Sequence, residues 1–185
     1  MTGLQQLVWL GLLSVLLVPA SLPAQTVILV RHAEKAAVPG DDPPLSALGE
    51  ARAESLGVVL ARADVRAVIV TSRQRTRLTA AAVLRARHLT PVVVPLGDGG
   101  AAHVRAVAAA VRRQPRRSVV LVVGHSNTIP RIVTALGGPE LPDLCDADYS
   151  TMFILDLDAR PERLVRVQYG EPGSRANCDG PLMRP

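Results

Sequence analysis

The chain is poor in aromatic residues and has a single lysine, Lys35. Its 185 residues include one tryptophan, two tyrosines and one phenylalanine, so it offers no aromatic platform on which nucleic-acid bases could stack. The net charge of +5 comes almost entirely from arginines that are not gathered into a sustained basic tract. The sequence therefore argues against a nucleic-acid partner, and the arginine excess fits an anionic small-molecule substrate at least as well.

No apolar run is long enough to cross a bilayer comfortably. The run Leu7–Val18 has a dozen residues, whereas about 20 are needed. Small residues follow it, so residues 1–24 are predicted to be a secretory signal peptide, cut after Ala24 or Ala20. The region before the run has no lysine or arginine, which leaves an uncleaved anchor as the alternative. We expect an exported protein, periplasmic or secreted, in which residues 25–185 form one domain with no stable membrane partner after cleavage.

Cysteine is scarce, with only Cys145 and Cys178 in the chain. In an exported protein of this length the two are expected to form a disulfide that ties the C-terminal tail to the body. Two unpaired thiols are the alternative. Their wide spacing, with no histidine nearby in sequence, argues against a metal site.

Strand and helix patterns alternate through most of the chain. Runs of β-branched and aliphatic residues predict strands at 27–30, 65–70, 91–94 and 118–123, and helical spacing predicts helices at 46–63, 74–86, 101–113 and 127–136. This alternation predicts an α/β three-layer sandwich, a mainly parallel sheet with helices on both faces. Residues 151–157 and 164–169 are predicted to add a hairpin to one side of the sheet.

The first predicted helix has a recognisable start and an apolar face. Ser46 is suited to cap it. Leu48, Leu56 and Val59 recur at helical spacing and are expected to face the core, whereas Arg52 is expected to face water.

Polar residues follow three of the predicted strands. Arg31 and His32 come after the first strand, Ser72–Arg77 after the second and His125 after the fourth. Because the carboxyl ends of parallel strands meet at one edge of a sheet, these groups are expected to converge. Two imidazoles and two arginines in one place predict an anion site, with phosphate as the natural ligand.

Four ordered sequence blocks carry a family resemblance over residues 27–136. They are VRHAEK at 30–35; Leu45, Ser46, Gly49, Arg52 and Ala53; Ser72, Arg75, Thr79 and Ala80; and VVGHSN at 122–127. The sequence resembles the histidine phosphatase superfamily, and the resemblance implies the phosphoglycerate-mutase-like fold.

The resemblance also implies the roles of four residues. His32 would be the nucleophile that forms a phosphohistidine, and His125 would be a second phosphate ligand that stabilises the transferring group. Arg31 and Arg75 would clamp the phosphoryl oxygens. No metal or other cofactor is implied, because the arginines and His125 would supply the electrostatic stabilisation.

The sequence departs from the family at the proton donor for the leaving oxygen. The acid-phosphatase branch has an aspartate directly after the second histidine, where this chain has Ser126. The mutase branch has a glutamate some way beyond the second arginine, where this chain offers none. Asp98 and Glu34 are the candidates, and the residues do not decide between them.

The sequence predicts an exported phosphatase that acts on phosphomonoesters through phospho-His32. The alternative is a phosphate- or phospho-ligand-binding protein that has the same pocket but little catalysis. Export argues against a glycolytic mutase and a cytosolic protein-phosphohistidine phosphatase. The loops are short, so we expect an open site that takes small or varied phosphoesters.

Several other polar residues are predicted to have no part in catalysis. Those outside the family pattern are expected to be ordinary surface or partly buried groups: Arg73, Arg77, His88 and His103. Ser72 is expected to serve a turn or cap rather than to act as a nucleophile. The glycine-rich segment 97–100 lacks the lysine and serine of a P-loop.

Overall fold

A computed structural model describes residues 25–97, 100–159 and 163–172. The strands are β1 (Thr26–Arg31), β2 (Val65–Thr71), β3 (Val92–Val94), β4 (Val119–Gly124), β5 (Thr151–Asp156) and β6 (Arg163–Gln168). The helices are α1 (Ala47–Val59), α2 (Gln74–Arg87), α3 (Ala101–Arg112) and α4 (Ile129–Ala135). Every predicted strand is confirmed, with bounds that differ by at most one residue.

The six strands form one mixed sheet in the order β3-β2-β4-β1-β5-β6. The first four of these are mutually parallel. The C-terminal strands continue the sheet as an antiparallel pair, with β5 beside β1 and β6 at the edge. The predicted mainly parallel sheet with a terminal hairpin is therefore confirmed.

Alternate residues of β1 point to opposite faces of the sheet, and each face is covered by helices. Val27 and Leu29 belong to a core cluster with apolar residues of α3 and α4. Ile28 and Val30 belong to a second cluster with residues of α1 and α2. Burial on both faces explains why the strand reads as a continuous apolar run rather than an alternating one. The predicted three-layer sandwich is confirmed.

The start of α1 packs against the chain that follows β1. The Ser46 side chain accepts a hydrogen bond from the Gly49 amide at 3.2 Å, which confirms the predicted cap. A Cβ on Gly49 would lie 2.2 Å from the Glu34 carbonyl oxygen, so only glycine permits this approach. The helix start is thereby held close to the residues after His32.

Two predictions about α1 are wrong. The helix ends at Val59 rather than residue 63. Its inward face was right at Leu56, which is buried, but wrong elsewhere: Arg52 is buried, whereas Leu48 and Val59 are each 52% exposed. The reason is a buried ion pair, since the Arg52 guanidinium contacts the Glu34 carboxylate at 2.7 Å. Helical spacing alone does not reveal such a partner.

Residues 1–24 and Cys178 lie outside the described part of the chain. The signal peptide and the Cys145–Cys178 disulfide accordingly remain predictions. Among the described residues, none of the helices combines the length and the apolar character needed to traverse a bilayer.

Candidate active site

Three parallel strands deliver their C-terminal residues to one edge of the sheet. Arg31 of β1 pairs with Gly124 of β4, and the His32 amide donates to the Gly124 carbonyl at 2.9 Å. His32 and His125 are therefore the first residues after neighbouring strands. Their ring centroids lie 5.3 Å apart with the planes inclined at 65°. The structure confirms the prediction that the two histidines lie close together.

His32 is held with one ring nitrogen free. The residue is buried, and Nδ1 lies 2.8 Å from the Ala33 carbonyl oxygen. A carbonyl only accepts, so Nδ1 carries the hydrogen and Nε2 carries the lone pair. Burial is the main cause that lowers the pKa of His32 to about 4; the hydrogen bond to the Ala33 carbonyl opposes this shift, and the charges of Arg75, Arg31 and Lys35 contribute to it. At neutral pH the ring is thus uncharged and nucleophilic at Nε2.

His125 is fixed from the end of β2. Its Nε2 lies 3.2 Å from the Thr71 hydroxyl oxygen, and its amide donates to the Thr128 hydroxyl at 3.0 Å. Burial lowers the pKa of His125 to about 3, with His32 as the largest electrostatic contributor. His125 is therefore also neutral, so it can approach a phosphoryl group as a hydrogen-bonding ligand rather than as a fixed cation.

Arg31 is anchored by backbone oxygens from a distant part of the chain. Its Nη1 donates to the carbonyls of Cys145 and Asp146 at 2.9 Å each and to that of Asp148 at 3.4 Å. The guanidinium carbon lies 4.0 Å from the centre of the Tyr149 ring. Its Nε is buried and has no hydrogen-bond partner. The side chain is thus held in place, and its Nε–H group remains able to donate a hydrogen bond to a ligand.

Arg75 belongs to the first turn of α2 and is held by a carboxylate. Its Nη1 lies 3.4 Å from Oδ1 of Asp42. Its Nε, like that of Arg31, is buried without a partner. Burial lowers the pKa of Arg75 against the opposing effect of the Asp42 carboxylate, and the charges of Arg73 and Arg31 add smaller lowering effects. Two unpaired buried N–H groups beside two neutral imidazoles suit an anion such as phosphate.

The residues expected to be uninvolved divide into two groups. Ser72, Arg77 and His88 are exposed, as predicted for groups outside the site. His103 is buried instead, with Nδ1 at 2.9 Å from the Pro95 carbonyl oxygen, so its predicted surface or partly buried position is wrong. Its position near His125 makes it one of the smaller contributors to the lowered pKa of His125.

The structure adds threonines that the sequence did not single out for a role. Thr79 accepts a hydrogen bond from the Ala33 amide at 2.9 Å and donates to the Arg75 carbonyl at 2.7 Å, so it joins the segment after β1 to the first turn of α2. Thr71 contacts His125 from the next strand. Thr79 belongs to one of the four sequence blocks that resemble the family, which could have indicated a role for it. No feature of the sequence indicated a role for Thr71.

Of the two proton-donor candidates from the sequence, only Glu34 belongs to the described residues. Glu34 is bound by Arg52 through three contacts of 2.7–3.0 Å, so a guanidinium already neutralises its carboxylate. Asp98 lies outside the described residues. The carboxylate that contacts a site arginine in the N-terminal half is Asp42, in the loop after β1.

The family resemblance is confirmed by comparison of the sequence with family models. The model of the histidine phosphatase superfamily, branch 1, matches residues 27–96. These residues include His32 and Arg75, and the matched stretch ends before His125. No curated protein matches the chain.

Solved structures of phosphatases share the fold. The putative phosphohistidine phosphatase SixA from Agrobacterium tumefaciens is 25% identical, with 82% of this chain and 100% of that chain covered and a TM-score of 0.56. The protein histidine phosphatase SixA complexed with tungstate is 20% identical, with 77% and 96% covered and a TM-score of 0.61. A mycobacterial glucosyl-3-phosphoglycerate phosphatase with VO3 is 18% identical, with 79% and 98% covered and a TM-score of 0.60. The chain is therefore similar to histidine phosphatases in sequence over residues 27–96 and in fold over most of its length.

Proposed function

We propose that this protein is an exported phosphatase that hydrolyses phosphomonoesters through a phosphohistidine on His32. The observation that carries the proposal is the state of that ring. Its Nδ1 is bound to a carbonyl at 2.8 Å, and burial holds its pKa at about 4. A neutral imidazole with its Nε2 lone pair free, beside two arginines, is a nucleophile matched to phosphorus.

In the first step, Nε2 of His32 attacks the phosphorus atom and the bond to the leaving oxygen breaks. The electron pair of that bond goes to the leaving oxygen, which takes a proton. The charge on the equatorial oxygens is stabilised by Arg31 and Arg75, whose buried Nε groups lack other partners. His125, 5.3 Å from His32 between ring centroids, contacts the same phosphoryl group.

In the second step, water attacks the phosphorus atom and the P–N bond breaks. Nε2 of His32 regains its lone pair, and inorganic phosphate leaves. The two guanidinium groups supply the positive charge that a metal ion supplies in other phosphatases, which supports a metal-independent reaction. The leader pattern at residues 1–24 supports export.

The test is hydrolysis of p-nitrophenyl phosphate in the presence of EDTA. Wild type is expected to release phosphate and to form a phosphoryl adduct that is lost in acid but survives base. His32→Asn is expected to lose both. The matched control is His88→Asn. His88 is exposed, and its backbone has the left-handed conformation, which asparagine tolerates.

Two outcomes would overturn the proposal. Turnover that persists in His32→Asn would remove the phosphohistidine, and turnover that requires a metal ion would remove the metal-independent mechanism. Absence of turnover in folded wild type, together with saturable binding of phosphate, would favour the phospho-ligand-binding protein instead.

A further inference from the structure

The reaction needs a group that gives a proton to the leaving oxygen, and few described carboxylates near the site are available for it. Glu34 is neutralised by Arg52 at 2.7 Å. Asp148 accepts from the Thr151 amide and hydroxyl and from Arg166 at 2.8–3.1 Å. Asp146 has a fully exposed side chain, 3.8 Å from Arg31. Asp42 remains.

Asp42 is held in place against the start of α2. Both of its carboxylate oxygens accept from the Gln74 amide, at 3.0 and 3.1 Å. Its backbone carbonyl accepts from the Gln74 side chain. One carboxylate oxygen lies 3.4 Å from Nη1 of Arg75. The carboxyl group is thus fixed one guanidinium group away from the oxygens that Arg75 is proposed to bind.

The exposure of these side chains orders them from the floor of the site to its mouth. His32 is 5% exposed, the Arg75 side chain 15% and the Asp42 side chain 34%. In an in-line displacement the leaving oxygen lies opposite the attacking Nε2, with the phosphorus atom between them. A nucleophile on the floor therefore places the leaving oxygen toward the mouth, which is where Asp42 stands.

We propose that Asp42 is the general acid and base of this site. The proposal rests on the proposed phosphatase function and deepens it. As the P–O bond breaks, the Asp42 carboxyl group gives its proton to the leaving oxygen. The resulting carboxylate then takes a proton from the water that attacks phospho-His32, so the acid form is restored when phosphate leaves.

Substrate binding prepares this role through charge. In the free site Asp42 is the ion-pair partner of Arg75. A bound phosphate monoester offers Arg75 oxygens with more negative charge than a carboxylate, so the ester displaces Asp42 from Arg75, and the proton that Asp42 later gives away comes from the ester monoanion. One carboxyl group thereby holds Arg75 before binding and is released to donate a proton afterwards.

The test compares leaving groups in Asp42→Asn. An asparagine side-chain oxygen still accepts from the Gln74 amide, so the contact with α2 is kept, but the amide cannot donate a proton as an acid does. The substrates are p-nitrophenyl phosphate, whose phenolate leaves without help, and phenyl phosphate, whose phenolate needs a proton. We expect kcat/KM of Asp42→Asn to fall about 100-fold or more for phenyl phosphate and less than about tenfold for p-nitrophenyl phosphate.

The controls separate this proposal from its rivals. Asp41→Asn changes an exposed neighbouring carboxylate and is expected to match wild type with both substrates. Equal losses on both substrates in Asp42→Asn would make Asp42 only a positioning residue for Arg75 and overturn the proposal. A leaving-group-dependent loss in Asp146→Asn, with none in Asp42→Asn, would assign the acid to Asp146.

The same experiment distinguishes failure of the proposed function. His32→Asn is expected to be inactive with both substrates. If p-nitrophenyl phosphate turnover depends on His32 but Asp42→Asn behaves as wild type on both esters, the proposed phosphatase function is supported and the proposed role of Asp42 is rejected. If wild type turns over neither ester, both the phosphatase function and the role of Asp42 are rejected.

Discussion

The two arginines of the site are held by different parts of the chain and by different chemistry. Arg31 is gripped by three backbone carbonyls of segment 145–148 and by the ring of Tyr149. Arg75 is held by one carboxylate, that of Asp42, at 3.4 Å. Carbonyls cannot change charge, whereas a carboxylate can. One side of the site is therefore a fixed anchor, and the other has a partner that can exchange an ion pair for a proton transfer.

The anchor also links parts of the chain that are far apart in sequence. Segment 145–148 precedes β5 and lies beyond the stretch that matches the family model, which ends at residue 96. The Asp42 side lies within that stretch. The position of Arg31 thus depends on a segment that lies far C-terminal to it. Removal of the Arg31 side chain should therefore lower the free energy of unfolding of the protein.

The largest expected effect comes from truncating each arginine. Arg31→Ala and Arg75→Ala should each lower kcat/KM by about 100-fold to 1000-fold, since each removes a charge aimed at the transferring phosphoryl group. Only Arg31→Ala should also lower the free energy of unfolding, by about 2–4 kcal/mol, because it leaves carbonyls without their charged donor. Arg75→Ala removes a partly exposed ion pair and should cost less than about 1 kcal/mol.

Kinetics and urea unfolding on the same preparations check this comparison. Arg66→Ala is the control, because the Arg66 side chain is 66% exposed and pairs only with an exposed aspartate. Equal losses of stability in Arg31→Ala and Arg75→Ala would mean that the two sides are held alike.

Acid should weaken the fold through the buried histidines of the site. The folded pKa of His32, about 4, lies below its ordinary value of 6.5. The unfolded chain therefore binds this proton first as the pH falls, and stability is lost between about pH 6.5 and 4. The loss for His32 is about 3 kcal/mol, from about 1.4 kcal/mol per pKa unit.

Urea unfolding at a series of pH values measures this slope. His32→Asn should flatten it, because the variant has no imidazole to protonate at that position. An unchanged slope in His32→Asn would show that other groups carry the acid sensitivity.

The sequence was sufficient for the fold and for the meeting of His32 and His125 at one edge of the sheet, for physical reasons. Strands buried on both faces read as uninterrupted apolar runs, such as residues 27–30 and 118–123. Parallel strands bring their C-terminal ends to one edge, so Arg31, His32 and His125 could be expected together. These rules need no knowledge of side-chain partners.

What the sequence could not supply were contacts between distant polar groups. Arg52 was expected to face water, and it is buried because Glu34 lies opposite it. Nothing in the sequence singles out Asp42, and its contact with Arg75 depends on how the loop after β1 folds against α2. Neither ion pair joins residues at a regular sequence separation, so the helix and strand periodicity of the sequence does not predict it.

A smaller effect is expected at Thr71, on the Arg75 side of the site. Thr71→Val keeps the shape but removes the hydroxyl that contacts Nε2 of His125 at 3.2 Å. His125 then loses the partner that fixes its ring, and kcat/KM should fall about tenfold, the effect of one hydrogen bond of about 1 kcal/mol or slightly more. Thr90→Val, at an exposed threonine, is the control. Loss of stability without loss of kcat/KM would assign Thr71 to the fold alone.

The smallest expected effect tests the anchor side through Tyr149. Its ring lies 4.0 Å from the guanidinium carbon of Arg31 and 6.1 Å from the centre of the His32 ring. Tyr149→Leu removes a cation–π contact of about 0.5–1 kcal/mol and should raise KM about twofold to fivefold. Tyr149→Phe keeps the ring and should leave KM unchanged. If Tyr149→Phe instead lowers kcat as much as Tyr149→Leu does, the hydroxyl takes part in the reaction, and the anchor side would no longer be chemically inert.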